Sequence, residues 1–168
     1  MLSMKPLGNT PEEIKKTKNL YYSSFPKNER RSFPELMENR MGGTEVYCFY
    51  DDEMFVGMAC LLNSHTISHI IYLAVEDSLR GKGYGSKALE LLHKSKAGKR
   101  ILVDIELPDE RAENARQRKM RKEFYIRAGY AETPVKYEWR HENYEILSFG
   151  GQITQEDYDG FWEDLQKA

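Results

Sequence analysis

Cysteine is scarce in this chain. Two thiols, Cys48 and Cys60, among 168 residues give no disulfide framework and suit a reducing compartment. If EVYCFYD and MFVGMACLL form a hairpin turning at Asp52 and Glu53, Cys48 falls opposite Gly57 and Cys60 opposite Glu45. That register sends the two sulfurs to opposite faces of the sheet, so no bond between them is expected. Long apolar runs are missing as well: nothing approaches the length of a membrane span, and the N-terminal MLSMKPLGNTPEEIKK lacks the apolar core of a signal peptide. A cytoplasmic protein with no membrane partner is the simplest expectation. Nor is there an excess of one charge. With 31% charged residues, 40% hydrophobic residues and a formal net charge of -2, the composition implies neither disorder nor general nucleic-acid affinity. Repeats and low-complexity linkers are absent, and the length suits one domain over 1–168, with 140–168 as a C-terminal extension within it. HExxH and CxxC spacings are also lacking, so His65, His69 and Cys60 suggest no metal site.

The most informative stretch runs from Ile70 to Leu89. An apolar run, IIYLAV, is followed by the spacer EDSL and then by RGKGYGSKAL. Gly81, Gly83 and Gly85 have no side chains, so backbone N–H groups there can approach a ligand closely just before a helix begins. In that helix Tyr84, Ala88, Leu91 and Leu92 fall on one face, with Lys87, Glu90 and Lys94 elsewhere. A pyrophosphate at its N-terminus would meet free N–H groups and the positive end of the helix dipole. Gly83, Gly85 and Ala88 also satisfy the dinucleotide pattern G-x-G-x-x-A, with Asp104 and Glu106 about 20 residues on. In a dinucleotide-binding unit, however, the first glycine follows the strand almost directly, whereas seven residues, Glu76 to Lys82, separate Val75 from Gly83. A P-loop fails too, because Gly83 stands where Ser or Thr should follow the lysine.

Around this loop the pattern predicts the order β, α, α, β, β, β, α, β, α, β, β, α. A helix from Thr10 to Ser24 opens on Thr10, Pro11, Glu12 and Glu13, which reads as a capping pattern. A short helix from Ser32, with Pro34 in its first turn, runs to Arg40 and is ended by Gly42 and Gly43. Between them, YYSSFPKNERRSF reads as a packed helical corner or as one wall of a pocket. Near-continuous apolar strands suggest a sheet covered on both faces. In ILVDIEL, Ile101, Val103, Ile105 and Leu107 share one face, while Asp104 and Glu106 share the other with Leu102. A helix from Glu113 to Ala128 offers Met120, Phe124 and Ala128 as its stripe, and Gly129 ends it. Two strands around His141 to Asn143 then lead to a helix capped by Thr154 with Asp157. Its aromatics Tyr158, Phe161 and Trp162 are expected to dock on their own chain, a second subunit being the alternative, so a monomer or a homodimer is expected.

Leu73, Ala74 and Val75 followed by Arg80, Gly83 and Gly85 resemble the acyl-CoA loop of the GNAT superfamily of N-acetyltransferases. Phe124, Tyr125, Ile126, Arg127, Ala128, Gly129 and Tyr130 resemble that family's FYxxxGF element, in the right order and at a suitable separation. The resemblance implies a mixed α/β fold: a mostly antiparallel twisted sheet of about six to seven strands with a splayed parallel pair, and helices on both faces. It implies acetyl-CoA as acyl donor, bound by Leu73, Ala74 and Val75 along pantetheine and by Arg80, Gly81, Lys82, Gly83, Tyr84, Gly85 and Ser86 at the pyrophosphate. It implies an amine acceptor, a small molecule or a peptide, without metal or nucleic acid. Many members carry Asn seven residues before the FY tyrosine to contact CoA; here that position is Arg118, and Asn114 lies one turn earlier.

Acetyl transfer needs a neutral amine, donors for the thioester carbonyl and a proton for the departing thiolate. An alkyl amine with a pKa near 10.4 is protonated at neutral pH, so a base or water must take a proton from it. N–H groups near Val75 suit the carbonyl. Tyr125 is the candidate acid, by resemblance. For the base, His69 matches the position used by histone-type members, and an imidazole is chemically apt for the task; Glu106 on the polar face is the second candidate, and water without a dedicated base is the third. Asp104 and Glu106 favour a cationic amine. The basic run Arg116, Arg118, Lys119, Arg121 and Lys122 reads as a solvated helix face. A non-catalytic acyl-CoA sensor is the competing class.

Overall fold

A computed structural model of the protein describes residues 1–27, 29–38 and 43–167. It contains β1 (Leu2–Pro6), α1 (Pro11–Ser24), α2 (Phe33–Glu38), β2 (Thr44–Asp51), β3 (Met54–Asn63), β4 (Ile67–Val75), α3 (Tyr84–Ser95), β5 (Arg100–Glu106), α4 (Ala115–Arg127), β6 (Ala131–Trp139), β7 (Glu142–Phe149) and α5 (Gln155–Lys167). This is the order expected from the pattern. The strands form one mixed sheet, β1-β2-β3-β4-β5-β7-β6, antiparallel except for the pair β4 and β5. The chain divides into two compact units, and β4 contributes to both. Met1–Asn63 and Ile70–Ala97 make the first unit; Ser64–His69 and the chain from Gly98 onward make the second.

In the first unit, Leu20 and Tyr21 of α1 and Phe33 and Leu36 of α2 pack with Val46, Cys48, Met58, Cys60, Tyr72 and Ala74 of the sheet. The hairpin turns where expected, Asp51 pairing with Met54 and Asp52 taking φ 55°. The register then slips between Phe49 and Tyr50, so that Phe49 faces Gly57, Cys48 faces Met58 and Val46 faces Cys60. The two cysteines therefore share a face, contrary to the regular-hairpin expectation, because one extra residue in β3 shifts every later pair. They sit diagonally, about 7–8 Å apart at Cα, and both are free buried thiols. Burial pushes Cys48 up to about 11 and Cys60 to about 12.

The helix starts also differ in detail. Thr10 makes no side-chain cap to α1; instead Glu13 reaches back past it, Oε1 accepting from Gly8 N–H at 2.7 Å. Its Oε2 accepts from the Tyr50 hydroxyl at 2.6 Å and pairs with Lys5 Nζ at 2.8 Å, so this buried carboxylate ties α1 to β1 and β2. In α2, Ser32 Oγ accepts from Glu35 N–H; the expected end at Arg40 and Gly42 lies outside the described residues. The corner between α1 and α2 is packed: Tyr72 of β4 donates to Glu29 O and accepts from Arg31 N–H, edge-on to Tyr21 and Phe25.

In the second unit, buried Leu102, Ile105, Ile146 and Leu147 fill the sheet between its helices. The stripe expected on α4 is wrong: Met120 is exposed, and Arg118 and Tyr125 are the buried residues. Charge pairing selects that face. Lys122 holds Glu145 at 3.0 Å and Glu132 at 2.7 Å, and Arg118 is paired likewise. Gly129, at φ 100°, closes the helix with Tyr130 N–H on Tyr125 O and Gly129 N–H on Ile126 O, the αL termination that glycine permits. Thr154 and Asp157 cap α5 reciprocally at 3.0 Å each.

Candidate active site

The glycine loop belongs to the first unit. After β4, Glu76 N–H bonds to Val56 O, a single 3-10 turn covers Asp77–Leu79, and Arg80 N–H returns to Asp77 O. Gly81 and Gly83 then take φ of 79° and 82°, and Gly83 is the N-cap of α3. A Cβ at either glycine would meet nothing within 4 Å, so the need for glycine there is conformational and the outer side of the loop stays open. The first helical bond after the cap is Lys87 N–H to Gly83 O, which leaves the N–H groups of the first turn available. No side chain caps them, and no acidic residue stands in that turn, whereas α1 and α5 carry Glu12, Glu13, Glu156 and Asp157 in theirs. Such an end suits an anion. Lys82 and Ser86 are exposed beside it, and Arg80 lies against Asp77 at 3.1 Å with Nε on Val75 O at 3.4 Å. Tyr84 donates to Asp51 at 2.6 Å, fixing the start of the helix to the end of β2.

Leu73 and Val75 are half-buried and alternate with Tyr72 and Ala74, whose side chains belong to the core. Sequence reasoning missed the residue that lets this strand lie where it does. A Cβ on Gly57 would come within 2.4 Å of Ala74 O, so β3 approaches the acyl-CoA strand as closely as backbone allows. The signal was present as an isolated glycine in an apolar strand.

The expected proton-handling residues lie in the second unit. Tyr125 is 9% exposed, packed edge-on to Phe124 and Tyr130. Burial pushes its hydroxyl up to about 12, against a small opposing pull from Arg121, so it holds its proton at neutral pH. Glu106 is 13% exposed and committed on both oxygens, Oε2 to Arg118 at 2.8 Å and Oε1 accepting from Asn114 at 3.2 Å. Arg118 also takes Glu142 at 3.1 Å and Leu107 O at 3.1 Å, with Nε on Asn114. Burial disfavours its charge, yet Glu142 and Glu106 outweigh that and raise its pKa. The residue expected on a solvated face is thus a buried ion-pair partner. His69 is 1% exposed, and neither ring nitrogen has a hydrogen-bond partner. Its Nε2 lies 3.5 Å from Asp104 Oδ1, near enough for charge attraction but misaligned for a hydrogen bond. Glu106 has both oxygens engaged, and His69, though unpartnered, is sealed from solvent.

The acetyltransferase (GNAT) family model matches residues 14–130. Among solved structures, a GNAT-family protein from Bacteroides thetaiotaomicron is 23% identical, with 98% of this chain and 96% of that one covered and a TM-score of 0.80. An aminoglycoside 6'-N-acetyltransferase from Enterococcus faecium is 18% identical, covering 89% and 96%, TM-score 0.67. A GNAT acetyltransferase from Elizabethkingia anophelis with acetyl-CoA bound is 15% identical, covering 88% and 97%, TM-score 0.59. A comparison with curated protein sequences returns no match. With both motifs inside the matched stretch, the chain belongs to the acetyltransferase (GNAT) family, enzymes that use acetyl-CoA as acyl donor.

Proposed function

We propose that this protein transfers an acetyl group from acetyl-CoA to a primary amine of a small molecule or peptide, by direct attack in a ternary complex. The start of α3 carries the reading, with open N–H groups, two αL glycines and no acidic residue in its first turn. Residues Arg80 to Ser86 hold the pyrophosphate, and the main chain of Leu73, Ala74 and Val75 holds the pantetheine amides. Bound acetyl-CoA supplies the thioester carbon that the amine attacks. An N–H near Val75 stabilises negative charge on the carbonyl oxygen, a contribution of about 2.7–4 kcal/mol per donor in comparable sites. Tyr125 Oη, protonated at neutral pH and without a hydrogen-bond partner among the described residues, gives its proton to the leaving sulfur. Water removes the proton of the incoming ammonium, since Glu106 is held by Arg118 and Asn114 and His69 is sealed.

Two measurements on the same sample test this: calorimetric titration with acetyl-CoA, and release of free CoA thiol in the presence of a panel of amines. Binding together with amine-dependent thiol release is the expected result. Binding without such release would make the protein an acyl-CoA sensor, and no binding would remove the reading altogether.

A further inference from the structure

α3 buries an apolar stripe, Ala88, Leu89 and Leu92, and burial of that kind is non-directional. It decides which face of the helix points inward without deciding how far the helix slides along its own axis. The loop ahead adds no packing at Gly81 or Gly83, where even a Cβ would meet nothing within 4 Å. Yet the axial position determines where the N–H groups of the first turn end up.

Polar contacts supply what the stripe lacks, and both come from β2. Alternation puts Glu45, Tyr47, Phe49 and Asp51 on one face of that strand, opposite to Val46 and Cys48, which pack with α1 and α2. At the last residue of β2, Asp51 Oδ2 accepts from the hydroxyl of Tyr84, the first residue of α3, at 2.6 Å. Its Oδ1 takes the Met1 amine at 3.0 Å. At the other end Lys96, the C-cap of α3, gives Nζ to Glu45 Oε1 at 2.5 Å and sits over the Tyr47 ring at 5.9 Å. The Tyr47 hydroxyl and the Asn63 amide also donate to Glu45. Both carboxyls are held below their usual range, Asp51 chiefly by the Tyr84 hydrogen bond, and Glu45 against burial, which Lys96 and Tyr47 outweigh.

The two spans agree. Along the strand, Glu45 to Asp51 covers about 20 Å at roughly 3.3 Å per residue; along the helix, Tyr84 to Lys96 covers about 18 Å at roughly 1.5 Å per residue. α3 therefore runs antiparallel to β2 with a strap at each end, and it cannot slide along its axis without straining both.

We infer that Asp51 and Glu45 are positioning residues for acyl-CoA binding: through Tyr84 and Lys96 they set the axial position of α3, and with it the placement of the first-turn N–H groups that receive the pyrophosphate. The inference rests on the reading that this helix start binds acetyl-CoA. It adds that the geometry of the cradle is set in part from the far end of the helix, about 18 Å away.

The test is calorimetric titration of the full-length protein and its variants with acetyl-CoA, each variant being checked for native near-UV circular dichroism. In Tyr84→Phe, which keeps the ring and loses the hydroxyl, and in Asp51→Ala, Kd rises roughly tenfold, the low end for a hydrogen bond to a charged group. The double variant binds no more weakly than either single one, because both remove the same contact. Asp51→Asn keeps a carbonyl acceptor for Tyr84 and restores Kd to within about threefold of wild type. Lys96→Met keeps the stem, removes the remote charge and raises Kd several-fold. Unchanged Kd in Tyr84→Phe and Lys96→Met overturns the inference, even where Tm falls, since the straps would then stabilise the fold and nothing more. Additive losses in the Tyr84→Phe, Asp51→Ala double variant overturn it as well. Should Asp51→Ala fail to fold, Tyr84→Phe and Lys96→Met decide by the same ratio. No uptake of acetyl-CoA by the wild type refutes the cofactor reading itself, whereas uptake indifferent to both straps refutes this inference alone.

Discussion

Replacing Gly57 with alanine tests how the first unit holds its acyl-CoA strand. The added Cβ would lie 2.4 Å from Ala74 O, an ångström short of an ordinary 3.4 Å contact, and it would also approach Val75 Cα at 3.3 Å. Both obstacles are backbone, so no rotamer change relieves them and β4 itself must move. Overpacking of this kind costs about 1–3 kcal/mol, which for a domain of this size lowers Tm by roughly 2–12 °C. The displaced atoms belong to the residues proposed to hold pantetheine and polarise the thioester, and a 1 Å misplacement there can reduce kcat/KM by up to about 100-fold. Thermal unfolding and acetyl-CoA titration are read together, with Gly160→Ala as the control. A Cβ on Gly160 meets nothing within 4 Å, and alanine in a helix interior is favoured over glycine by about 0.5–1 kcal/mol, so that variant should be slightly stabilised. If Gly57→Ala behaves like the control in both Tm and acetyl-CoA affinity, the close approach of β3 to β4 has no bearing on the cofactor strand and the reasoning fails.

Tyr125→Phe keeps the ring packing and removes the hydroxyl; kcat should drop about 100-fold with acetyl-CoA affinity unchanged, and an undiminished kcat would strip Tyr125 of its acid role. Because burial pushes this hydroxyl up to about 12, the wild-type rate should show no alkaline decline from Tyr125 below roughly pH 11. Glu106→Gln should lower stability by about 1–3 kcal/mol through the Arg118 network while kcat stays within a few-fold; a collapsed kcat at unchanged Tm would return Glu106 to the role of base. Glu13 is opposed by burial but held below its usual range by Lys5, Tyr50 and Gly8. Its depressed pKa in the folded state means that its stabilisation is complete above the ordinary value of 4.5 and disappears as the pH falls through the folded value. Glu13→Gln should therefore lose about 1–3 kcal/mol at pH 7, and denaturant unfolding should show the gap to wild type closing below roughly pH 4.5; a gap independent of pH would contradict the assignment.

Where local chemistry decided the outcome, the sequence was a sufficient guide. Spacing alone gave the element order, Gly129 gave the end of α4, and Thr154 with Asp157 gave the cap of α5. Apart from the Thr10 cap, which Glu13 replaces by bonding Gly8, the misreadings involve partners distant along the chain. A regular hairpin is the natural expectation for residues 45–62, and nothing local marks the extra residue that slips the register and brings Cys48 and Cys60 to one face. Hydrophobic periodicity chose Met120 for the buried side of α4, yet Glu106 of β5 and Glu142 and Glu145 of β7 turn Arg118 and Lys122 inward instead. Asp104 was recognisable as a carboxylate on a polar face, but its hydrogen-bond donor is Tyr137, and no spacing rule connects the two.

These distant pairings also explain why composition concealed the chemistry. A transferase that joins an anionic donor to a cationic acceptor needs opposite local fields, and with a net charge of -2 over 168 residues neither field can come from bulk charge. In the proposed reading the first unit receives the anionic donor on main-chain N–H groups, with no acidic residue in the first turn of α3. Exposed Lys82 adds to that field, but at physiological salt a surface charge is screened within about 8 Å, whereas the oriented amides act at contact. In the second unit both carboxylates of the polar face are engaged by neighbours of their own chain, Glu106 by Arg118 and Asn114 and Asp104 by the Tyr137 hydroxyl. Neutralising Lys82 should therefore weaken acetyl-CoA binding only modestly in a calorimetric titration, and a large loss would move the field from the main chain to that side chain.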